Sequence, residues 1–312
     1  MRISSSLFTS NLQAQMNQLQ TQQTQLQGEV SSGLAVTKPE DNPGVMNQAL
    51  DMQSEASANT QYQNNITQLQ ATATTAGDAM NSLQTIAEQA GQIATSAGGV
   101  NSSSQLATYA TQVGNLIQEA LQAANTQDSQ GNYIFGGTAN SQPPFVATTD
   151  ANGNVTGVTY QGNTDTPESE IGPNLTASAV TPGANTTGSG SAGLLVDSTS
   201  GADLFSHLIS LQQDITSGNT SAISSTDTPN LTKDEDNIVS GIAANGVTQS
   251  TLQSAATAAT QRGENLTTQT SNLTSSNMAT ALTQLDQVQT SYQAAMQSGV
   301  MILNLSILSY IQ

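Results

Sequence analysis

The sequence predicts an α+β protein. Long N- and C-terminal α-helices pack as an antiparallel coiled-coil bundle, and a small β-rich domain is inserted between them. Three observations carry this prediction. Apolar residues recur at alternating four- and three-residue spacing toward both ends, the pattern of a helical seam. No proline stands between Pro43 and Pro143, or after Pro229, so nothing there forces a helix to stop. Between these stretches the chain turns rich in Gly, Pro, Ser and Thr around short runs of strand formers, as in loops and hairpins.

Leu12, Met16, Leu19, Gln23, Leu26 and Val30 form the first seam, with one polar member. Gly33 and Pro39 break it. Asp41-Asn42-Pro43-Gly44 reads as a turn into a new helix, with Asn42 as cap and Pro43 at the first helical position. Val45, Ala49, Met52, Ala56, Asn59, Gln63 and Ile66 keep the same spacing. Leu69, Ala73, Ala76, Met80, Leu83, Ala87, Ala90 and Ala94 continue it after one three-residue slip. Gly98-Gly99 ends this helix. Leu106, Tyr109, Val113, Leu116, Ala120 and Ala123 mark the next, so the two form an antiparallel helical hairpin.

At Gly131 the pattern changes. Tyr133-Ile134-Phe135 are strand formers ahead of Gly136-Gly137. Phe145-Val146-Ala147 and Val158-Thr159-Tyr160 flank a turn near Asn152-Gly153, a hairpin signal. Residues 131–200 therefore read as a small, loop-rich β insert. Helical spacing returns at Leu204, Leu208, Leu211 and Ile215, and a turn-rich stretch from Ser217 to Asn230 interrupts it. From about residue 246 a long helix is expected. Leu252, Ala256, Ala259, Leu266 and Leu273 mark its first part, and Leu285, Val288, Tyr292 and Met296 its second.

Composition removes whole classes of function. Among 312 residues there are 4 Lys+Arg against 22 Asp+Glu, a net charge of −18. Four scattered cations cannot make the basic stripe that nucleic-acid binding needs, and the charge repels anionic membrane surfaces. No Cys is present, which excludes thiol catalysis, disulfides and Cys-based metal sites. The single His, His207, leaves no His pair for zinc and little general-base chemistry. No run after Arg2 has the length of a signal-peptide core, and none is long enough to span a membrane.

The ends are the sharper clue. From Val300 to Ile311 the chain is almost continuously apolar, and an apolar patch of that size needs cover. Two readings stand. The C-terminus docks onto its own chain, where the N-terminal seam receives it, or both ends pair and also pack against neighbouring subunits. The residues expected at such an interface are Ile3, Leu7, Leu12, Met16, Leu19, Leu26, Val30, Leu285, Val288, Tyr292, Met296, Ile302, Leu305, Leu308 and Tyr310.

Several motifs now point to a family. Arg2-Ile3-Ser4 opens the chain, Ser31-Ser32-Gly33 follows the first seam, and Lys38-Pro39-Glu40-Asp41-Asn42-Pro43 precedes the long helix. Gly131-Asn132-Tyr133-Ile134-Phe135-Gly136-Gly137-Thr138, Gln261-Arg262-Gly263-Glu264-Asn265-Leu266 and the tail Leu305 to Ile311 agree with it. The sequence resembles the flagellin superfamily, and most closely its hook–filament junction branch, hook-associated protein 3. Arg262 precedes a glycine where the family has one before the arginine, and Gln312 extends the tail.

The resemblance implies a bacterial extracellular structural protein with no catalytic residues, no cofactor and no metal. It would be exported unfolded through the flagellar type III pathway without a cleaved signal. Its partners would be itself, in a ring or short helical zone, hook-associated protein 1, flagellin, and an export chaperone on the C-terminal helix. Residues 1–40 with 280–312 would form the inner assembly domain. Residues 41–130 with 201–279 would form a long-helix bundle, and 131–200 the outer insert. Arg2, Gly33, Pro39, Asp41, Pro43 and Arg262 would be its structural motif residues, each arginine finding an acid. A minor filament flagellin and a secreted adhesin-like module with a helical stalk are the alternatives.

Other candidate sites read as structure. Asp150-Ala151-Asn152-Gly153-Asn154 has the start of a calcium loop, but its Gly and terminal Glu are misplaced, so a hairpin turn is expected. Asp234-Glu235-Asp236 beside Lys233 reads as a solvated helix start. Asp203, Ser206 and His207, near neighbours on one helix, cannot make a catalytic triad.

Overall fold

The computed structural model describes the backbone of residues 2–311 and the side chains of residue 7 and residues 9–301. It divides into two units, one of residues 1–58 with 262–312 and the other of residues 59–261.

The first unit holds helix α1 (Arg2–Ser32), the start of α2 (Pro43–Ala97), the end of α6 (Thr228–Thr274) and α7 (Met278–Ile311). Helix α1 stops at Gly33, whose φ of +73° suits glycine and whose N–H still bonds Glu29 O. The loop beyond it is closed by Asp41. Its carboxylate accepts the N–H of Thr37 at 3.0 Å and of Lys38 at 2.9 Å. Pro39 sits inside the turn closed by Asp41 N–H on Lys38 O. Asn42 Oδ1 accepts Val45 N–H at 3.2 Å and caps α2, which begins at Pro43 as expected.

The second unit holds the core. Helix α2 ends at Ala97, and α3 (Ser103–Ala124) starts with a capping box in which Ser102 and Gln105 satisfy each other's backbone N–H. The short link between Ala97 and Ser103 turns the chain back, and residues of both helices, Asp78, Ser82, Glu119 and Gln122 among them, line one groove, as in an antiparallel hairpin. Helix α4 (Leu204–Ser217) completes the layer. Met80, Leu83, Val113, Ile117, Leu204, Phe205, Leu208 and Leu211 form one buried cluster with the insert's Phe135, Phe145 and Leu194.

The insert consists of small sheets. Strands β1 (Phe145–Thr149) and β2 (Val155–Tyr160) pair antiparallel around the expected turn, where Gly153 has a φ of +86°. Strands β3 (Ser169–Gly172) and β4 (Leu175–Ala177) form a second hairpin. The third sheet joins β5 (Ala184–Asn185), β6 (Val196–Asp197) and β7 (Ala202–Asp203). Phe145 anchors the first hairpin, its ring 5.1 Å from Tyr160 and 5.3 Å from Phe205. Ile171 ties the second to a satellite cluster with Ile66, Ala73, Leu252, Ala255 and Ala259.

Two local expectations are corrected. Tyr133-Ile134-Phe135 makes only an isolated bridge, Gln127 to Tyr133. Its carbonyls are claimed from several directions, Phe135 O by Gly183 N–H and by the Tyr160 hydroxyl, so no partner strand aligns. The stretch from Ser217 to Asn230 is not a long turn. Gly218 (φ +69°) caps α4 and Asn219 opens a single turn, α5 (Thr220–Ala222). A π-helical segment (Ile223–Asp227) then runs straight into α6. The wider π turn, closed by Thr228 N–H on Ile223 O, admits Pro229, which has no N–H of its own, without ending the helix.

Candidate assembly surface

Helices α1 and α7 are joined side by side near their linking ends. Ala35 N–H bonds Thr274 O at 2.7 Å and Ser276 N–H bonds Gly33 O at 2.9 Å. The Ser276 hydroxyl donates to the Glu29 carboxylate. Far along the pair, a Cβ placed on Gly299 would lie 2.9 Å from Leu12 Cδ2. Contact thus runs from Gly33–Ser276 to Leu12–Gly299, so the helices are antiparallel. A larger residue at Gly299 would have to push the end of the Leu12 side chain aside.

On α1 the predicted seam residues Leu12, Met16, Leu19, Leu26 and Val30 are half-buried, while Leu7 is exposed. On α7 the covered face comprises Ala281, Leu285, Val288, Tyr292, Ala295 and Gly299. Met296 does not join it. At about 100° per residue it falls on the neighbouring flank with Met278, Leu282 and Val300, all exposed. This flank, about 80° round from the centre of the covered face, was missed in the sequence except at Met296. Its signal was a second apolar series one residue out of phase with the first. Met301 is also 68% exposed. The side chains of Arg2, Ile3, Ile302, Leu305, Leu308 and Tyr310 lie outside the described residues.

Charges in the first unit are sparse. Arg262 meets an acid as expected, with Nη2 3.6 Å from Glu55 Oε2, both exposed. Lys38 pairs with Glu40 at 3.5 Å on the surface. Hydrogen bonds from the backbone N–H groups of Thr37 and Lys38 hold the Asp41 carboxyl below the usual carboxylate range.

The acidic run beside Lys233 is the largest correction. Asp234 is not a solvated residue at a helix start. It lies inside α6, only 1% exposed, and its Oδ2 is 2.8 Å from His207 Nδ1. Its Oδ1 accepts Asp203 N–H at 2.8 Å, while Asp203 caps α4 through Ser206 N–H. Burial pushes the Asp234 carboxyl up, against the hydrogen bond and charge of His207. Burial pulls the His207 imidazole down, but the bond and charge of Asp234, with the charge of Asp203, outweigh it and the net direction is up. Nearby, Asp227 is buried, accepts the Ser210 hydroxyl at 2.9 Å and leaves Oδ2 without a partner. Burial raises its pKa.

Neither cluster resembles a reactive site. Asp203 contacts backbone rather than His207 through its carboxylate. The Asp150 carboxylate is occupied by Asn152 N–H, Asn154 N–H and the Asn154 amide, which hold its pKa down and shape the turn. Among the described residues no group of three or more His, Cys, Asp or Glu could hold a metal ion. None of their helices is long and apolar enough to cross a membrane.

The bacterial flagellin N-terminal helical region matches residues 3–140, the stretch that holds α1, the Gly33–Pro43 loop, α2 and α3. Residues 3–140 are thus similar to the flagellin N-terminal helical region, and the chain has a FlgL-like fold. The fold likeness extends beyond the matched region. A Vibrio parahaemolyticus protein described as a flagellar hook-associated protein superposes with a TM-score of 0.64 at 16% identity, over 75% of this chain and 100% of that one. FlgL of Bacillus cereus gives 0.56 at 18% identity, over 71% and 99%. Flagellar hook-associated protein 3 of Legionella pneumophila gives 0.58 at 14% identity, over 71% and 98%. No curated protein matches the sequence significantly. The FlgL-like fold accounts for the placement of the insert between two sets of long helices. Among the described residues, Met278, Leu282, Met296 and Val300 on the flank of α7 stay exposed.

Proposed function

We propose that this chain is a structural component of the bacterial flagellum, of the hook-associated protein 3 type, joining hook-associated protein 1 on the hook side to the flagellin filament. It acts by assembly and not by catalysis. One observation carries the reading most. Both buried hydrophobic clusters lie within residues 59–261, whereas the paired terminal helices keep a half-buried seam and expose Met278, Leu282, Met296 and Val300. An apolar flank on helices that hold no buried hydrophobic cluster among their described residues suits packing against further copies.

In this reading residues 1–40 with 280–312 are the inner assembly region, 41–130 with 201–279 the surrounding helical shell, and 131–200 the outward insert. The chain is located in the extracellular flagellum, reached through the flagellar type III pathway without a cleaved signal. An export chaperone covers the C-terminal helix before assembly.

The test is a clean deletion in the native bacterium, with electron microscopy of the cells and an assay of flagellin in the medium. Hooks without filaments and flagellin lost to the medium are expected. Filaments of normal length would sink the proposal and favour a redundant flagellin or an unrelated surface module.

A further inference from the structure

The second unit contains a reciprocal pair of bonds that the function above does not use. Asn59 on α2 is 4% exposed and donates through Nδ2 to Ala259 O on α6 at 2.8 Å. Asn245 on α6 is 6% exposed and donates to Ala73 O on α2 at 2.9 Å. The crossing points are two heptads apart on each helix, and each helix supplies one donor and one acceptor. Between them Ile66 and Leu252 share the satellite cluster. The helices are therefore antiparallel, with an amide reaching across to main chain at either end of a short segment.

We propose that Asn59 and Asn245 form a register lock that selects one alignment of α2 on α6. The segment needs one because its seam is poor in shape. Ala73, Ala255 and Ala259 are its neighbours, and among the cluster's fully buried helical residues only Ile66 and Leu252 are large, so packing within this segment distinguishes heptad-shifted alignments weakly. The asparagines do distinguish them. An amide reaches a helical carbonyl only over a small side chain, and both acceptors are alanines. A shift of one heptad, about 10.5 Å along the axis, places Asn59 opposite Leu252 and Asn245 opposite Ile66. The opposite shift places Asn59 opposite Leu266 and Asn245 opposite Met80. Each shift covers both carbonyls and buries both amides unpaired.

Gly77 is the independent sign that the structure makes room for this. A Cβ there would lie 3.0 Å from Asn245 Nδ2 and 3.4 Å from Gln249 Nε2. Gln249 also reaches Ala73 O, at 3.3 Å. Glycine inside a helix is unfavourable, and here it opens the path of both amides to that carbonyl. Both acceptors stand four residues before a glycine, Gly77 and Gly263.

The chain has no cysteine, so introduced thiol pairs report alignment directly. Ile66→Cys with Leu252→Cys reports the observed register. Ile66→Cys with Ala259→Cys, and Ala73→Cys with Ile238→Cys, report the two shifted ones. In the otherwise unaltered full chain only the first pair should close on oxidation. With Asn59→Leu and Asn245→Leu added, a shifted pair should close in at least about a tenth of the chains. Closure confined to the 66–252 pair in that background would overturn the proposal. If the double leucine chain does not fold, Gly77→Ala provides the test by crowding the Asn245 amide without replacing either asparagine. Amide hydrogen exchange over 245–259 should then speed up about tenfold, and unchanged protection would overturn the lock.

Discussion

Residues 59–261 and the paired terminal helices use the same seam spacing to different ends. In the former, Leu83, Ile117, Leu208 and Leu211 are covered by helices and also by Phe135, Phe145 and Leu194 of the insert. In the latter, α1 has the same pattern, yet Leu12, Met16, Leu19, Leu26 and Val30 are only half covered. Among the described residues of that unit, the buried hydrophobics are Leu266 and Ala281. A seam in the sequence thus shows which face of a helix is apolar, not how many partners cover it. One partner helix leaves a half-buried stripe, and a core needs a third layer.

The contrast predicts the largest effect. Leu208→Ala opens a cavity in a fully covered site and should cost about 2–5 kcal/mol. Leu19→Ala in the half-buried seam should cost the isolated chain well under that, about 1 kcal/mol. Urea unfolding of both variants, followed by hydrogen exchange on each unit, separates them. Equal losses would mean that the terminal seam is already a core.

The next effect comes from Asp234. Asp234→Ala removes the acceptor of His207 Nδ1 and Asp203 N–H in a buried site and should cost about 3 kcal/mol. The pair also predicts a pH dependence. The folded-state pKa of His207 lies above its ordinary value of 6.5, so its contribution is complete below 6.5 and is lost as pH rises through the raised value. Thermal unfolding of the second unit should therefore weaken from pH 6 toward pH 9, and His207→Gln should flatten that slope. An equal slope in the variant would assign it to other groups.

Asp227 predicts a smaller change of the opposite sign. It buries a carboxylate oxygen with no partner, and Asp214 adds like charge. Asp227→Asn retains the acceptor for Ser210 and should stabilise by about 1 kcal/mol at neutral pH. Because the folded-state pKa of Asp227 is raised, the charged form is the strained one, so the gain should shrink as pH falls toward 3.8. A gain independent of pH, or a loss, would show that the charge is not the cause.

These residues also mark where the sequence was legible. The α2 and α3 seams were readable because repetition over many turns leaves one face apolar, and Asn42-Pro43 carried its own cap. The start of α6 was not readable. Thr220 to Asn230 is rich in residues that favour turns locally, and the cover given by Ile223 and Leu231 to the core outweighs that preference. Asp234 was misread for a related reason. An acidic run next to Lys233 is indistinguishable from a solvated one until the fold brings His207 to it from 27 residues away. The flank of α7 is half legible, since Met296 continues the spacing of Leu285, Val288 and Tyr292 although it stands on the neighbouring stripe with Met278, Leu282 and Val300.

The smallest predicted effect sharpens the comparison most. Arg262 and Glu55 are 3.6 Å apart with side chains 44% and 57% exposed. An exposed pair of this kind contributes about 0.2–1 kcal/mol and fades with salt. Arg262→Ala should therefore leave the unfolding of the isolated chain almost unchanged. If Arg262 is one of the assembly residues of the terminal unit, the same variant should be secreted normally and yet form fewer junctions, counted as filament-bearing hooks by electron microscopy. Such a split between an intact monomer and a failed assembly would place its important acid on a neighbouring subunit. Junctions formed in normal number would leave Glu55 as its whole role, and the apolar flank of α7 as the better candidate for contact with a partner.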